Sequence, residues 1–235
     1  MQITTAMILA AGRGERMRPL TDHCPKPLLK VGQQTLLERH IYRLVEAGIR
    51  RIVINHAWLG EQIADFVKTL SFDGVELLLS DEGCSALETA GGIHNALGQL
   101  GSAPFLLVNG DVWSAFDFRD VSLPDPKVHG LIYLVENPPQ HPEGDFELTK
   151  DGWVLPKGEH NLTYAGIAVL DPSVFEALPA GKQGLGPLLR KWSQEHKLQG
   201  KHLKAVWYDI GTPERLEAMN QRLLNQEEGA CGEKF

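Results

Sequence analysis

The sequence predicts an α/β protein of three layers, with helices on both faces of a mostly parallel central sheet. Two observations carry this. In the first half, short apolar runs that fit buried strands alternate with segments whose apolar residues recur at helical spacing. One helical segment stands between most pairs of runs, the order that forms parallel βαβ units with right-handed crossovers. In such sheets ligands bind outside the carboxyl ends of the strands. The segments just after each strand are therefore where chemistry is sought.

Each element has its own warrant. Thr5 to Ala10 is an apolar run that ends at glycine, a buried strand. Thr35 followed by Glu38 is a capping box, and it opens a helix with Leu37, Ile41, Leu44 and Val45 on one face and Gly48 as its stop. Arg51 to Asn55 is the next strand, and Gly60 to Leu70 a helix with Ile63, Phe66, Val67 and Leu70 in phase. Val75 to Leu79 is a strand, Glu88 to Leu97 a helix and Pro104 to Asn109 a strand. The second half is less regular. Prolines punctuate loops around one strand, Leu131 to Val135. Phe146 to Leu155 reads as a hairpin turning at Asp151-Gly152. Tyr164 to Leu170 and Lys204 to Tyr208 read as strands, and Gly186 to His196 and Pro213 to Gln226 as helices, the last with proline at its first position. No repeat or long linker divides the chain. Residues 1–226 are expected to form one domain, with a loose tail over 227–235.

Composition removes several function classes. The 235 residues are 43% hydrophobic and 23% charged, an ordinary globular balance that excludes wholesale disorder. The net charge of −7 argues against duplex nucleic acid as the main partner, though a phosphorylated small molecule needs only a few local cations. No apolar run is long enough to span a membrane, and the first residues read as a strand and not as a signal peptide. Three widely spaced cysteines support neither a disulfide framework nor a zinc site, so a cytoplasmic setting is expected. Trp58 and Trp113 could mark an interface or a lid, but a solitary tryptophan is more often partly core.

The strongest chemical signal follows the first strand. Gly12 and Gly14 let backbone N–H groups approach a phosphate, and Arg13, Arg16, Arg18 and Lys26 crowd the same segment. Arginine's fork suits phosphate oxygens and lysine supplies a point charge. Four cations beside glycines at a strand end weaken the alternative of an ordinary solvated basic loop. The P-loop pattern is absent, and the dinucleotide fingerprint fails because Met17 stands where its third glycine should be. Downstream, Asp111 and Asp209 each lie just past an apolar strand. Taken singly each could be a turn or cap residue.

The stretch from Leu9 to Leu29 resembles the signature LAAGxGxRLxPLTxxxPKPLL of the sugar-1-phosphate nucleotidyltransferases, with Met17 where leucine is usual. Asn109-Gly110-Asp111 is similar to that family's GD motif, and Trp207-Tyr-Asp-Ile-Gly-Thr-Pro213 to its late WxDIGTP motif. The resemblance covers roughly Ile3 to Leu224. It implies a Rossmann-like α/β/α fold with a sugar-binding insertion in the second half, the nucleotide held by residues 1–115 and the sugar by 116–226. It also implies the reaction. A sugar 1-phosphate oxygen attacks the α-phosphorus of a nucleoside triphosphate in line and pyrophosphate leaves, so cations and metal are needed more than a protein nucleophile.

By the same resemblance, Arg16 would neutralise the leaving pyrophosphate and Lys26 would hold the phosphate at the reacting centre. Leu9, Ala11, Gly12, Gly14, Glu82, Gly91 and Asp111 would meet the nucleotide. Asp111 and Asp209 would hold Mg²⁺, whose preferred ligands are carboxylates and phosphates. A phosphate monoester is already ionised near neutral pH, so no general base is assigned. Asn109, Gly144, Asp145 and Gly166 would contact the sugar.

Two departures stand out. Glu88 replaces a usual glycine in Leu87-Glu-Thr-Ala-Gly-Gly92, and the Glu-Lys-Pro of many members is missing, with Lys157 either its substitute or an ordinary loop lysine. These features and the compact length resemble the branch that uridylylates N-acetylmuramic acid 1-phosphate in cell-wall recycling. The implied partners are UTP and that sugar phosphate, with the chain a monomer or small homo-oligomer. Glucose- or mannose-1-phosphate transfer, phosphocholine cytidylyl transfer and a non-catalytic nucleotide sensor remain as alternatives.

Overall fold

A computed structural model of the chain describes residues 2–119, 121–123 and 125–232, with side chains as far as Asn225. The first half contains β1 (Thr5–Leu9), β2 (Lys30–Val31), β3 (Gln34–Thr35), α1 (Leu36–Glu46), β4 (Arg51–His56) and α2 (Gly60–Lys68). It continues with β5 (Glu76–Asp81), α3 (Glu88–Leu100), β6 (Phe105–Asn109) and β7 (Val112–Ser114). The second half holds β8 (Gly130–Val135), β9 (Phe146–Leu148), β10 (Val154–Leu155), β11 (Asn161–Leu170) and α4 (Leu185–Gln194). It ends with β12 (Leu198–His202), β13 (Trp207–Asp209) and α5 (Pro213–Gly232).

Nine strands make one sheet. Its order is β10-β9-β11-β6-β1-β4-β5, with β8 paired to β11 and β12 paired to β8. Strands β6, β1, β4 and β5 run parallel, as the alternating pattern requires. Strand β11 runs antiparallel to β6, and β8 antiparallel to β11. Alternate side chains of a strand face opposite layers. Ala6 and Ile8 therefore join Leu37, Ile41, Leu44 and Ile63 of α1 and α2, while Met7 joins Ala90, Ile93 and Ala96 of α3 and Leu189 of α4. A strand buried on both faces must read as a continuous apolar run, which is how β1, β4 and β6 read. The capping box at Thr35 and Glu38 forms as expected, with both reciprocal hydrogen bonds.

A third apolar cluster ties the loop after β1 to the end of the chain. Met17, Leu29 and Leu36 pack against Trp113, Ile210, Leu216 and Met219. Trp113 is thus core, and Arg39 lies over its ring at 4.4 Å. Among the described residues no helix is long and apolar enough to cross a membrane.

One expectation is corrected. Of the strand expected over Lys204 to Tyr208 only Trp207 and Tyr208 are strand, and a strand that was not expected, β12, precedes it. β12 ends at His202 on the main sheet, and β13 begins at Trp207 and pairs with β7 in a separate ribbon. Leu198-Gln-Gly-Lys-His is too polar to read as a strand, but Gly200 lets it pack tightly. A Cβ there would lie 2.8 Å from Val154 Cγ2. α5 continues as helix to Gly232, and residues 233–235 of the expected tail lie outside the described residues. Glu227 and Glu228 carry no helix stop, and a glycine inside a helix, as at Gly229, costs only about 1 kcal/mol.

The close approach of β1 and β6 sets the floor between their ends. Gly110 N–H donates to the Leu9 carbonyl at 3.0 Å, and a Cβ at Gly110 would lie 2.4 Å from that oxygen. Both atoms are backbone, so neither can turn aside. Gly110→Ala should lower stability by roughly 2–4 kcal/mol, read as a fall in urea midpoint at constant slope. An unchanged midpoint would show that the two strand ends can part freely.

Candidate active site

The site begins with hydrogen bonds that join strand ends. Ala10 N–H donates to Asn55 Oδ1 at 2.7 Å, and Asn55 Nδ2 donates to Glu82 Oε1 at 2.7 Å. Glu82 Oε2 accepts from the Leu87 backbone N–H at 2.6 Å. This buried chain links the ends of β1, β4 and β5 to the start of α3. Gly92 makes it possible, since a Cβ there would sit 2.4 Å from Glu82 Oε1. Glu82 lines the cavity, yet both its oxygens are engaged within the protein, so it aligns the wall.

The loop after β1 is held open by its own cations. Gly14 adopts a left-handed φ of 66°, and its carbonyl accepts from Thr21 Oγ1 at 2.8 Å. Arg13 donates to the Thr21 carbonyl at 2.8 Å, pairs with Asp22 at 3.1 Å and stacks 3.6 Å over the Trp58 ring. Arg18 also pairs with Asp22, at 3.3 Å. Arg13, Arg18 and Trp58 therefore brace the loop. Arg16 has no ion-pair partner among the described residues, and it is exposed on the cavity wall.

The carboxylates come from two paired strands. Lys26 Nζ meets Asp111 Oδ2 at 2.6 Å, with the lysine side chain 12% exposed and the aspartate 29%. Ile210 N–H donates to the Asp111 carbonyl at 2.9 Å, and Asp209 lies opposite Val112 in the β7–β13 ladder. The β7–β13 ribbon, outside the main sheet, thus sets Asp209 beside the strand that follows Asp111. Asp209 Oδ2 accepts from Arg215 Nη1 at 2.5 Å. Its Oδ1 is buried without a hydrogen-bond partner, beside Gly211. Two carboxylates, one with an orphaned buried oxygen, suit a hard divalent cation that draws its other ligands from phosphates. Among the described residues no cluster of three or more acidic, His or Cys groups completes a shell by itself.

A cavity of about 500 Å³ gathers most of the expected residues. Leu9, Ala11, Gly12, Gly14, Arg16, Lys26, Glu82, Asn109 and Asp111 line it. Gly12 faces open space, and a Cβ there would meet nothing within 4 Å. Gly166 adjoins Asn109, since a Cβ there would lie 2.7 Å from Asn109 Nδ2, and it sits at φ 70° where β11 shifts register.

Four expectations differ. Gly91 does not line this cavity, because it packs on the 181–183 backbone, where a Cβ would lie 2.2 Å from the Gly181 carbonyl oxygen. Gly144 turns a loop at φ 63° against Asn137 and Asn161. Asp145 accepts from the Tyr164 N–H at 2.9 Å and meets His141 Nε2 at 3.0 Å, so both oxygens serve the loop. Asp209 lines a neighbouring groove, and only its neighbour Gly211 reaches the cavity. Lys157 is an exposed loop lysine, 3.5 Å from Glu143.

Sequence reasoning missed Asn55 and Arg215. Asn55 carried a signal, a polar residue ending the apolar run Ile52-Val-Ile. Arg215 is visible only once Pro213 starts α5 and turns it back on Asp209. Glu88 opens α3 with a left-handed φ of 59° and lines the cavity, so the backbone at this position explains why glycine is usual there.

His40 lies beneath the start of β7, near Asp111. Its ring donates to the Val112 backbone, and burial, then the neighbouring Arg39 charge, push its pKa down to about 4. Nε2 has no partner. The folded ring stays neutral while an unfolded ring takes a proton near pH 6.5, so this stability is whole above pH 6.5 and is lost as pH falls toward 4. The loss should approach about 3 kcal/mol. A His40→Gln variant should show a flatter decline in Tm over that window, and parallel declines would clear His40.

Comparison with known proteins agrees with this geometry. The family model described as nucleotidyl transferase matches residues 5–123. An N-acetylmuramate alpha-1-phosphate uridylyltransferase from Neisseria meningitidis is 47% identical over 220 residues, covering 90% of this chain and 95% of the relative. A protein of the same name from Caulobacter vibrioides is 30% identical, covering 93% and 96%. Mannose-1-phosphate guanylyltransferase catalytic subunit beta from Drosophila pseudoobscura is also 30% identical, but this chain spans only 60% of it. Among solved structures, HddC from Yersinia pseudotuberculosis complexed with GMP-PN superposes with a TM-score of 0.78 at 23% identity, covering 94% of this chain and all of that one, a likeness of fold. With the fold and the cation-lined cavity after β1 in agreement, the chain belongs to the nucleotidyl transferase family and is a sugar-1-phosphate nucleotidyltransferase.

Proposed function

We propose that the chain transfers a uridylyl group from UTP to N-acetylmuramic acid α-1-phosphate, releasing pyrophosphate, with Mg²⁺ as its cofactor. The observation that carries this reading is the meeting of Lys26 and Asp111 at 2.6 Å in a cavity walled by the glycine loop and Arg16. Both relatives named for this activity match along nearly their whole length, which supports the base and the sugar.

The roles follow from charge and placement. Backbone from Leu9 to Gly14 receives the nucleotide, and Glu82 keeps that wall aligned through Asn55. Arg16 faces the leaving pyrophosphate and Lys26 the α-phosphate. Residues 1–115 serve the nucleotide and 116–226 the acceptor, with Asn109 and Gly166 at the boundary. Gly144 and Asp145 shape the loop beside the sugar. Asp111 and Asp209 would hold Mg²⁺, which when bound offsets charge growing on the phosphates. The acceptor oxygen forms its bond to the α-phosphorus as the α–β bridge breaks. That oxygen is already ionised, so the chain needs to orient and neutralise, not to remove a proton. A nucleoside triphosphate donor and the free thiols Cys24 and Cys84 suit a cytoplasmic setting.

Pyrophosphate release across four nucleoside triphosphates and a panel of sugar 1-phosphates tests the assignment. UTP with N-acetylmuramic acid 1-phosphate should be the preferred pair, and a preference for another pair would discard the substrate while keeping the reaction. Asp111→Asn and Asp209→Asn should each lower kcat by about 100-fold or more without unfolding the chain. Full turnover in either would remove that aspartate from the metal site. Lys26→Ala should weaken phosphate binding or turnover strongly, and unchanged kinetics would take Lys26 out of the site.

A further inference from the structure

Beside the nucleotide cavity lies a larger groove of about 1050 Å³, between α5, the segment joining β12 to β13, and the loop after β8. It opens at Asp209, one of the two carboxylates assigned to the metal. Its floor includes apolar Leu203, Trp207 and Met219. Its wall has an excess of positive charge. Lys204, Arg215 and Arg222 outnumber its two carboxylates, of which Asp209 pairs with Arg215 at 2.5 Å and the exposed Glu136 lies 3.2 Å from His202. Lys204 and Arg222 remain, and neither has an acidic partner among the described residues. Arg222 is not loose, because its guanidinium lies 5.4 Å over the Tyr208 ring centroid.

An apolar floor with two unmatched cations complements a small anion on a short apolar stem. Cation–π contact holds the Arg222 fork against the wall with its N–H edge free for a carboxylate. The reaction's own phosphates are drawn elsewhere, to Lys26, Arg16 and the metal carboxylates, so these two cations are surplus to nucleotidyl transfer. Muramic acid differs from glucosamine in one respect, a lactic acid ether on O3. That substituent is a carboxylate on a short apolar stem, separated by one pyranose ring from the phosphate at C1.

We infer that Lys204 and Arg222 recognise the lactyl carboxylate of the acceptor sugar, with the groove receiving the ether beyond Asp209. The inference rests on the acceptor proposed above and adds what selects it. The chain as a whole is acidic, so a trianionic acceptor gains most from local cations. A sugar phosphate without the ether leaves both cations in water and forgoes the contact, which is how a site prefers one acceptor over a near-isostere.

Kinetics with saturating UTP and Mg²⁺ would test this, using N-acetylmuramic acid 1-phosphate and N-acetylglucosamine 1-phosphate, each as substrate or competing ligand. The readout is the preference for the first over the second in kcat/KM, or in Kd where the second is not turned over. Lys204→Met with Arg222→Met should reduce that preference by roughly 10- to 100-fold, mostly through KM of the muramic acceptor. Arg222→Lys and Lys204→Arg should restore most of it. A preference that stays the same in the double variant would overturn the inference while leaving the acceptor in place. Wild-type chain that ignores N-acetylmuramic acid 1-phosphate but uses another sugar phosphate would overturn the proposed acceptor, and the carboxylate site with it.

Discussion

The ion pair between Lys26 and Asp111 joins the loop after β1 to the turn after β6, and the geometry of the cavity depends on it. The pair is only partly screened by solvent. Its contribution to net stability is therefore small against the cost of desolvating two charges, and removing one partner leaves the other stranded. Its consequence is positional. It ties the cationic loop after β1 to the turn after β6 and sets opposite charges side by side on the cavity wall. That contact is possible only because Gly110 brings β6 against Leu9 and because Asn55 and Glu82 hold Ala10 in line.

The loop cations divide by duty. Arg13 and Arg18 hold their own segment through Asp22, Thr21 and Trp58, while Arg16 has none of these partners. A flexible glycine-rich loop would lose entropy on ordering around a triphosphate, so a braced loop presents its N–H groups at lower cost. The same bracing operates at Asp209, where Arg215 holds one carboxylate oxygen and the other stays buried without a hydrogen-bond partner. Preorganisation of this kind is what in-line phosphoryl transfer asks of a protein, since the substrates carry the reacting groups themselves.

Much of the site was legible in the chain. Gly12, Gly14, Arg16, Lys26, Asn109 and Asp111 meet in one cavity as the motifs implied. These residues share short segments after strands, where local pattern and topology agree. Gly91, Gly144 and Asp145 stand off the cavity because their surroundings come from distant segments, the 181–183 backbone, Asn161 and the Tyr164 N–H. A motif shows that glycine or aspartate is required at a position, but it does not reveal whether a ligand or the protein's own backbone needs the space.

Local pattern in the chain was enough for the α/β class, the parallel core of β1, β4, β5 and β6 and the cationic glycine loop. Periodicity, caps and strand-end glycines are local, and a strand buried on both faces cannot hide its composition. Chain packing in three dimensions settled the rest: β12 joins the main sheet, β13 pairs with β7 in a side ribbon that sets Asp209 beside Val112, Arg215 turns back on Asp209, and Lys204 and Arg222 face one groove. Those facts depend on which segments lie opposite one another after chain reversals, and residues far apart in sequence leave no periodic trace of their meeting.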